Sequence, residues 1–140
     1  VSGVPNAPET PHRLLALVAE AGIEIDMIVL APNEDGTADF AFTVHRSDYD
    51  QAIGLTRRGA ACWPAARVEG TDRVAKMSIV GVGMRSHAGV AAKLFAALAQ
   101  AGIGVRLVST SEIRISVLLA ESQLERAVRE THEAFSLSGH

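Results

Sequence analysis

The sequence repeats itself. Residues 13–29 (RLLALVAEAGIEIDMIV) align with residues 93–109 (KLFAALAQAGIGVRLVS) at a shift of 80. Leu14 falls on Leu94, Ala16 on Ala96, Ala19 on Ala99, and Ala21-Gly22-Ile23 on Ala101-Gly102-Ile103. Further on, Ser47, Ala52 and Ile53 fall on Ser122, Ala127 and Val128, because the first copy has the longer hairpin. A duplicated segment restricts the chain to architectures in which one supersecondary unit is built twice.

The second copy shows what that unit is. In residues 76–117 a run of β-formers (77–82) reaches Gly81 and Gly83, and the polar turn Arg85-Ser86-His87 leads into an Ala-rich helix over residues 89–100. Ala101-Gly102 stops the helix. Two more β-rich runs follow, 103–108 and 113–119, separated by Ser109-Thr110-Ser111-Glu112. A helix over 121–135 closes the copy. In the first copy, Thr10-Pro11 reads as an N-cap and first helical turn, and Gly22 as the helix stop. Strands are expected at 23–30 and 37–44 around the Asp35-Gly36 turn. Ser47 is the expected cap of a second helix to about residue 58, with Ile53 and Leu55 inward, and 60–68 reads as a strand in which Pro64 marks an edge or a bulge. Both copies are thus βαββα. The expected fold is α+β: two tandem ferredoxin-like βαββαβ units, residues 1–72 and 73–140, each an antiparallel sheet with helices on one face. Only SLSGH follows the last helix, so the second unit lacks its closing strand. Residues 1–4 are one candidate to complete that sheet, and another chain is the other. Bare edges make pairing between units or chains an expectation.

Composition narrows function by exclusion. The chain has 140 residues, 48% of them apolar, which suffices for a core. Aromatics make up 4% and the net charge is −3, so neither a base-stacking surface nor attraction to nucleic acid or an anionic membrane is expected. No apolar run reaches the roughly 18–20 residues that span a bilayer. No secretory signal pattern opens the sequence. The single Cys62 allows no internal disulfide, and the cytoplasm is the expected compartment. His12, His45, His87, His132 and His140 are scattered without metal-ligand spacing. Neither GxxxxGK[ST] nor GxSxG occurs, and Gly81-Val82-Gly83 is explained equally well by close strand–helix approach. No catalytic centre, metal or cofactor is expected in this chain.

Binding fares better. The turns at residues 4–9 and 84–89 place backbone amides near a helix start, which suits a small carboxylate. Ser109 to Glu112 crowd three hydroxyls and a carboxylate together. These hydroxyls can equally serve the hairpin backbone. Amides with a carboxylate nearby would match both ends of an amino acid.

The stretches KMSIVGVGMRSHAGVAAKLF, STSEIRISV and ERAVRETHEAF resemble the C-terminal regulatory region of aspartokinases, especially the separately made β subunit. DMIV and EDGTADFAFTV resemble the first half of that region. The likeness covers nearly the whole chain. It implies that each unit is an ACT domain, an amino-acid-sensing βαββαβ module. It implies a homodimer through ACT–ACT pairing and a catalytic aspartokinase chain as partner. Lysine and threonine would be allosteric ligands at the interfaces, for feedback control of aspartate-family amino-acid synthesis. The kinase site would lie in a preceding domain. The effector contacts implied are Asn6, Ala7 and Glu9 in the first loop, Asp26 at the start of the first inner strand, Ile103, Gly104 and Val105 at its counterpart, and Ser111 and Glu112 in the polar knot. This chain departs from the family pattern at several of them. Glu9 stands where a glycine is usual, Glu24 and Gly104 where asparagines are, Leu30-Ala31 where Gln-Asn is, and Ala88 where a proline is. Weakened, lost or altered lysine and threonine binding is therefore expected, leaving open a non-sensing scaffold or a sensor of another ligand.

Overall fold

The computed structural model describes residues 1–80, 87–111 and 113–137. The chain divides into two compact units, Val1–Asp72 and Arg73–His140. The first holds β1 (Val4–Pro5), α1 (Glu9–Glu20), β2 (Ile25–Pro32), β3 (Thr37–Val44) and α2 (Tyr49–Ala60). The second holds β4 (Val74–Val80), α3 (His87–Gln100), β5 (Val105–Thr110), β6 (Arg114–Ala120) and α4 (Leu124–Leu137). Each sheet has three antiparallel strands, ordered β1-β3-β2 and β4-β6-β5. The architecture is α+β, two tandem ferredoxin-like units.

The repeat is visible in its hydrogen bonds. Gly22 and Gly102 both adopt left-handed backbone, φ 77 and 72. Gly22 N–H donates to Ala19 O and Ile23 N–H to Val18 O; Gly102 N–H donates to Ala99 O and Ile103 N–H to Leu98 O. These are two copies of one helix C-terminal motif. Each satisfies two orphan carbonyls and tucks the following isoleucine onto the last turn. Ile23 accordingly packs with Val18, and Ile103 with Leu98.

Leu14 and Leu94, both fully buried, occupy matching places. Leu14 packs with Phe40 of β3 and Ala60 of α2; Leu94 packs with Ile115 and Val117 of β6 and Ala127 of α4. In both units the two helices pack together and cover one face of the sheet through these contacts. Along α1 the buried positions are Thr10, Leu14 and Val18, one per turn, as a core-facing stripe requires.

Four local expectations are corrected. Residues 1–4 belong to the first sheet, not the second. Val1 and Phe40 exchange backbone hydrogen bonds of 2.6 and 2.7 Å, and Val4 pairs with Ala38. Position 1 follows backbone pairing, which the repeat alone does not reveal. The strand expected over residues 60–68 shrinks to one bridge, Ser2 with Arg67, closed by two 2.9 Å bonds. Helix α2 consumes Ala60, and turns then occupy 61–65 around Pro64, leaving too little chain for a strand. The bridge lies beside residues 1–5, where a fourth ferredoxin-like strand would run. Thr10 does not cap α1. Pro8 is already in helical backbone, so the helix starts earlier, and the buried Thr10 hydroxyl donates to Pro5 O at 2.8 Å. Ser47 does not cap α2 either: a 3-10 turn, Arg46–Asp48, precedes the helix without a side-chain cap. The same device, Glu121–Gln123, precedes α4.

Candidate functional site

The loop after β1 sits at the hairpin end of the first sheet. Asn6 N–H donates to Gly36 O at 3.0 Å, which seats it beside the β2–β3 turn. That turn is rigidly built. Asp35 Oδ1 accepts from Thr37 N–H at 3.0 Å and from the Thr37 hydroxyl at 2.6 Å, and Gly36 takes φ 86. Thr37's two donors hold the Asp35 carboxyl below the usual aspartate range, the hydroxyl contributing most. Ala7 is half-buried and its carbonyl accepts from Thr10 N–H. Glu9 is exposed and is the first residue of α1. Its negative charge in the first turn complements the positive helix end, which would also favour an incoming anion.

Asp26 lies at the other end of that sheet. Ile25 pairs with Val44, and a bulge follows before Ile28 pairs with Phe42. Within the bulge the Thr43 hydroxyl accepts from Met27 N–H at 2.9 Å. Next to it Glu24 faces His45 at 3.6 Å, both well exposed. Eight residue steps lead from Gly36 to Val44 along β3, about 26 Å at strand rise. Asn6, Ala7 and Glu9 therefore do not meet Asp26 within one unit.

The second unit repeats the division. A bulge again falls at the strand start, between Val105 and Leu107. Ile103 is a core side chain with its N–H given to Leu98 O, so only its carbonyl is left to offer. Val105 is half-buried against the same core. Gly104 is exposed, and an added Cβ there would meet nothing within 4 Å. Ser111 lies at the opposite end, where its N–H donates to Arg114 O at 2.7 Å. Val80, the last described residue of β4, pairs with that same Arg114. Glu112 lies outside the described residues, as do residues 81–86 of the second loop.

A row of serines crosses the second sheet. Ser78 of β4 and Ser116 of β6 face each other with hydroxyls 2.7 Å apart, and Ser109 of β5 pairs with Ser116 on its other side. Cross-strand register places all three on the sheet face opposite the helices. Only strand pairing, not spacing along the chain, brings them into a row. Among the described residues no three His, Cys, Asp or Glu side chains converge on a common point. None of the described helices is long and apolar enough to cross a membrane.

A family model of the ACT domain matches residues 77–135. Over 137 residues the chain is 48% identical to the aspartate kinase of Pseudomonas fluorescens (strain SBW25), covering 98% of this chain and 33% of that protein. It is similar to a chain in the crystal structure of aspartokinase alpha and beta subunits, with a TM-score of 0.89 and 47% identity over 97% of this chain and 89% of the other. It also resembles the ligand-free regulatory subunit of aspartate kinase from Thermus thermophilus, with a TM-score of 0.86 and 33% identity over 94% and 87%. The fold and these likenesses define an ACT-domain regulatory protein. The chain belongs to the aspartokinase family, matching its regulatory subunits. It spans about a third of the length of the curated relatives it matches.

Proposed function

We propose that this chain is the regulatory part of an aspartate kinase and that it binds amino-acid effectors where one ACT unit pairs with another. One observation carries the reading. Each sheet holds the expected contacts in two groups at opposite ends, so a complete site needs the loop end of one unit to meet the bulge end of another. Edge strands support such pairing: β2 is eight residues long and exposes Ile28 and Leu30. The effectors are lysine or threonine. Bound at a seam, a ligand favours one orientation of the units and biases a catalytic aspartokinase chain by no more than its differential affinity. The chain pairs with a second copy of itself.

The first loop of this chain is a poor anion site. Two unit charges 4 Å apart repel by about 1 kcal/mol in water and about 4 kcal/mol at a partly screened surface. A carboxylate arriving near Glu9 meets that opposition, worth roughly fivefold or more in affinity. Calorimetry with lysine, threonine and methionine tests the reading. Weak binding by the natural chain and at least about fivefold tightening in Glu9→Gly are expected. An added kinase chain should then show effector-dependent inhibition.

A second reading is favoured by the same loop: a paired scaffold that senses nothing. Asn6 N–H is already spent on Gly36 O, and Glu9 guards the helix start. It requires that no amino acid bind and that Glu9→Gly leave the heats at background.

A further inference from the structure

The β2–β3 turn carries a chemical hazard. Asp35-Gly36 is the single Asp-Gly pair in the sequence, and Asn-Gly does not occur. Such a link can rearrange on itself. The Gly36 nitrogen adds to Asp35 Cγ and a water leaves, which closes a five-membered succinimide. Water then opens the ring at either carbonyl. Opening at the former main-chain carbonyl leaves an isoaspartyl link, whose backbone runs through Cβ and Cγ and is one atom longer. One water leaves and one enters, and nothing is oxidised or reduced. Two features of the site favour the reaction. Gly36 has no side chain to shield its nitrogen, and a Cβ built there would meet nothing within 4 Å. Asp35 and Gly36 are both exposed, so water reaches the ring.

The fold opposes the same reaction. Ring closure expels a hydroxyl from a neutral carboxyl, whereas a carboxylate would have to expel oxide. Asp35 Oδ1 accepts two hydrogen bonds from Thr37, 3.0 Å from its N–H and 2.6 Å from its hydroxyl. Both favour the ionised, unreactive form. They also draw Oδ1 forward past Gly36, and closing the ring would break them. The backbone is pinned on either side: Gly36 O accepts from Asn6 N–H at 3.0 Å, and Thr37 O accepts from Asn33 N–H at 2.8 Å. Asn33 Nδ2 donates in turn to the Thr37 hydroxyl oxygen at 3.1 Å, which fixes that side chain over the carboxylate. We infer that Asp35-Gly36 is a self-modification site, open to conversion into an isoaspartyl link, and that the Thr37 side chain keeps it closed. Conversion lengthens the main chain where Gly36 O holds Asn6 N–H, so the loop after β1 comes away from the turn. This does not depend on effector binding.

The test ages the full chain, folded and unfolded in urea, side by side near neutral pH. Isoaspartate at residue 35 is read by electron-transfer mass spectrometry after digestion. The folded natural chain is expected to convert more slowly than the unfolded one. Thr37→Val keeps the N–H but loses the hydroxyl. It is expected to convert at least about threefold faster than the natural chain, since the neutral fraction grows in step with the carboxyl's midpoint. Thr37→Ser keeps the donor and should stay close to the natural rate. The separated isoaspartyl form should lose amide protection at Asn6. Should Thr37→Val disorder the turn, judged by amide exchange at Phe40, the folded-against-unfolded comparison and Thr37→Ser decide. Equal rates in folded and unfolded natural chain overturn the inference. So does a folded Thr37→Val that converts no faster, or a Thr37→Ser that converts as fast as the unfolded chain.

Discussion

Thr56 and Thr131 are the same residue in the two copies and live differently. The buried Thr56 hydroxyl donates to Ala52 O at 2.8 Å. The Thr131 hydroxyl is also buried and has no hydrogen-bond partner among the described residues. Valine is close to isosteric and carries no polar atom. Thr56→Val should therefore cost about 0.5–1.5 kcal/mol, the usual net worth of such a bond. Thr131→Val should be neutral or stabilising, because it removes an unpaid desolvation. Urea denaturation of both variants checks the contrast, and equal losses would contradict it. Asp35 makes a second residue-scale prediction. Its carboxyl is held below the usual aspartate range, so the folded state favours the ionised form. That contribution is complete above the ordinary aspartate range and disappears as pH falls through the lowered value. A carbon-13 titration of Asp35 should show the low midpoint, and Thr37→Val, which removes the hydroxyl, should move it upward. The sequence announced this turn through Asp-Gly. It did not announce that Thr10 and Ser47 would forgo capping, because cap choice depends on where neighbouring backbone already bends.

Among elements, the paired bulges at the starts of β2 and β5 matter most. They re-aim the residues expected to touch an effector, a common use of bulges. In the first unit the bulge relies on the Thr43 hydroxyl for Met27 N–H. Thr43→Val would strand a partly buried donor and should destabilise by about 1–3 kcal/mol. Thr43→Ser keeps the acceptor and should lose much less, as thermal melts of the two variants would show. Strand existence was readable from the runs of Val, Ile and Thr in 23–30, 37–44 and 103–108. The bulges were not, since an extra residue in one strand is defined only against its partner. The strand expected over 60–68 failed for a related reason. Apolar residues there, Trp63, Ala66 and Val68, pack on the first core from turns, without a ladder. Burial and strand pairing leave the same mark on a sequence.

At the level of the whole molecule, the second core is one cluster around Leu94, and the first is split around Leu14 and Val18. Leu94→Ala should cost about 2–5 kcal/mol, as full burial of the leucine implies. Amide exchange should rise chiefly in residues 73–137, with Leu14 and Phe40 still in protected surroundings. A uniform rise over both units would mean that they unfold as one. The duplicated pattern predicted two units with matching cores, and Leu14 and Leu94 do sit in equivalent places. The family likeness assigned the expected contacts to loops and strand starts, and it did not say how far apart these lie within a unit. Within a unit, antiparallel register carries Asn6 and Asp26 to opposite ends of the sheet.

Periodicity, turn residues and the internal repeat by themselves determined the elements, their order and their doubling, because these depend on interactions between residues close in the chain. Which edge residues 1–4 would join, where the bulges fall, and which polar groups share a face were decided only by tertiary structure. Those outcomes follow from hydrogen bonds and packing between segments 30 to 70 positions apart, as with Val1 and Phe40 or Ser2 and Arg67. No local pattern records such a pairing.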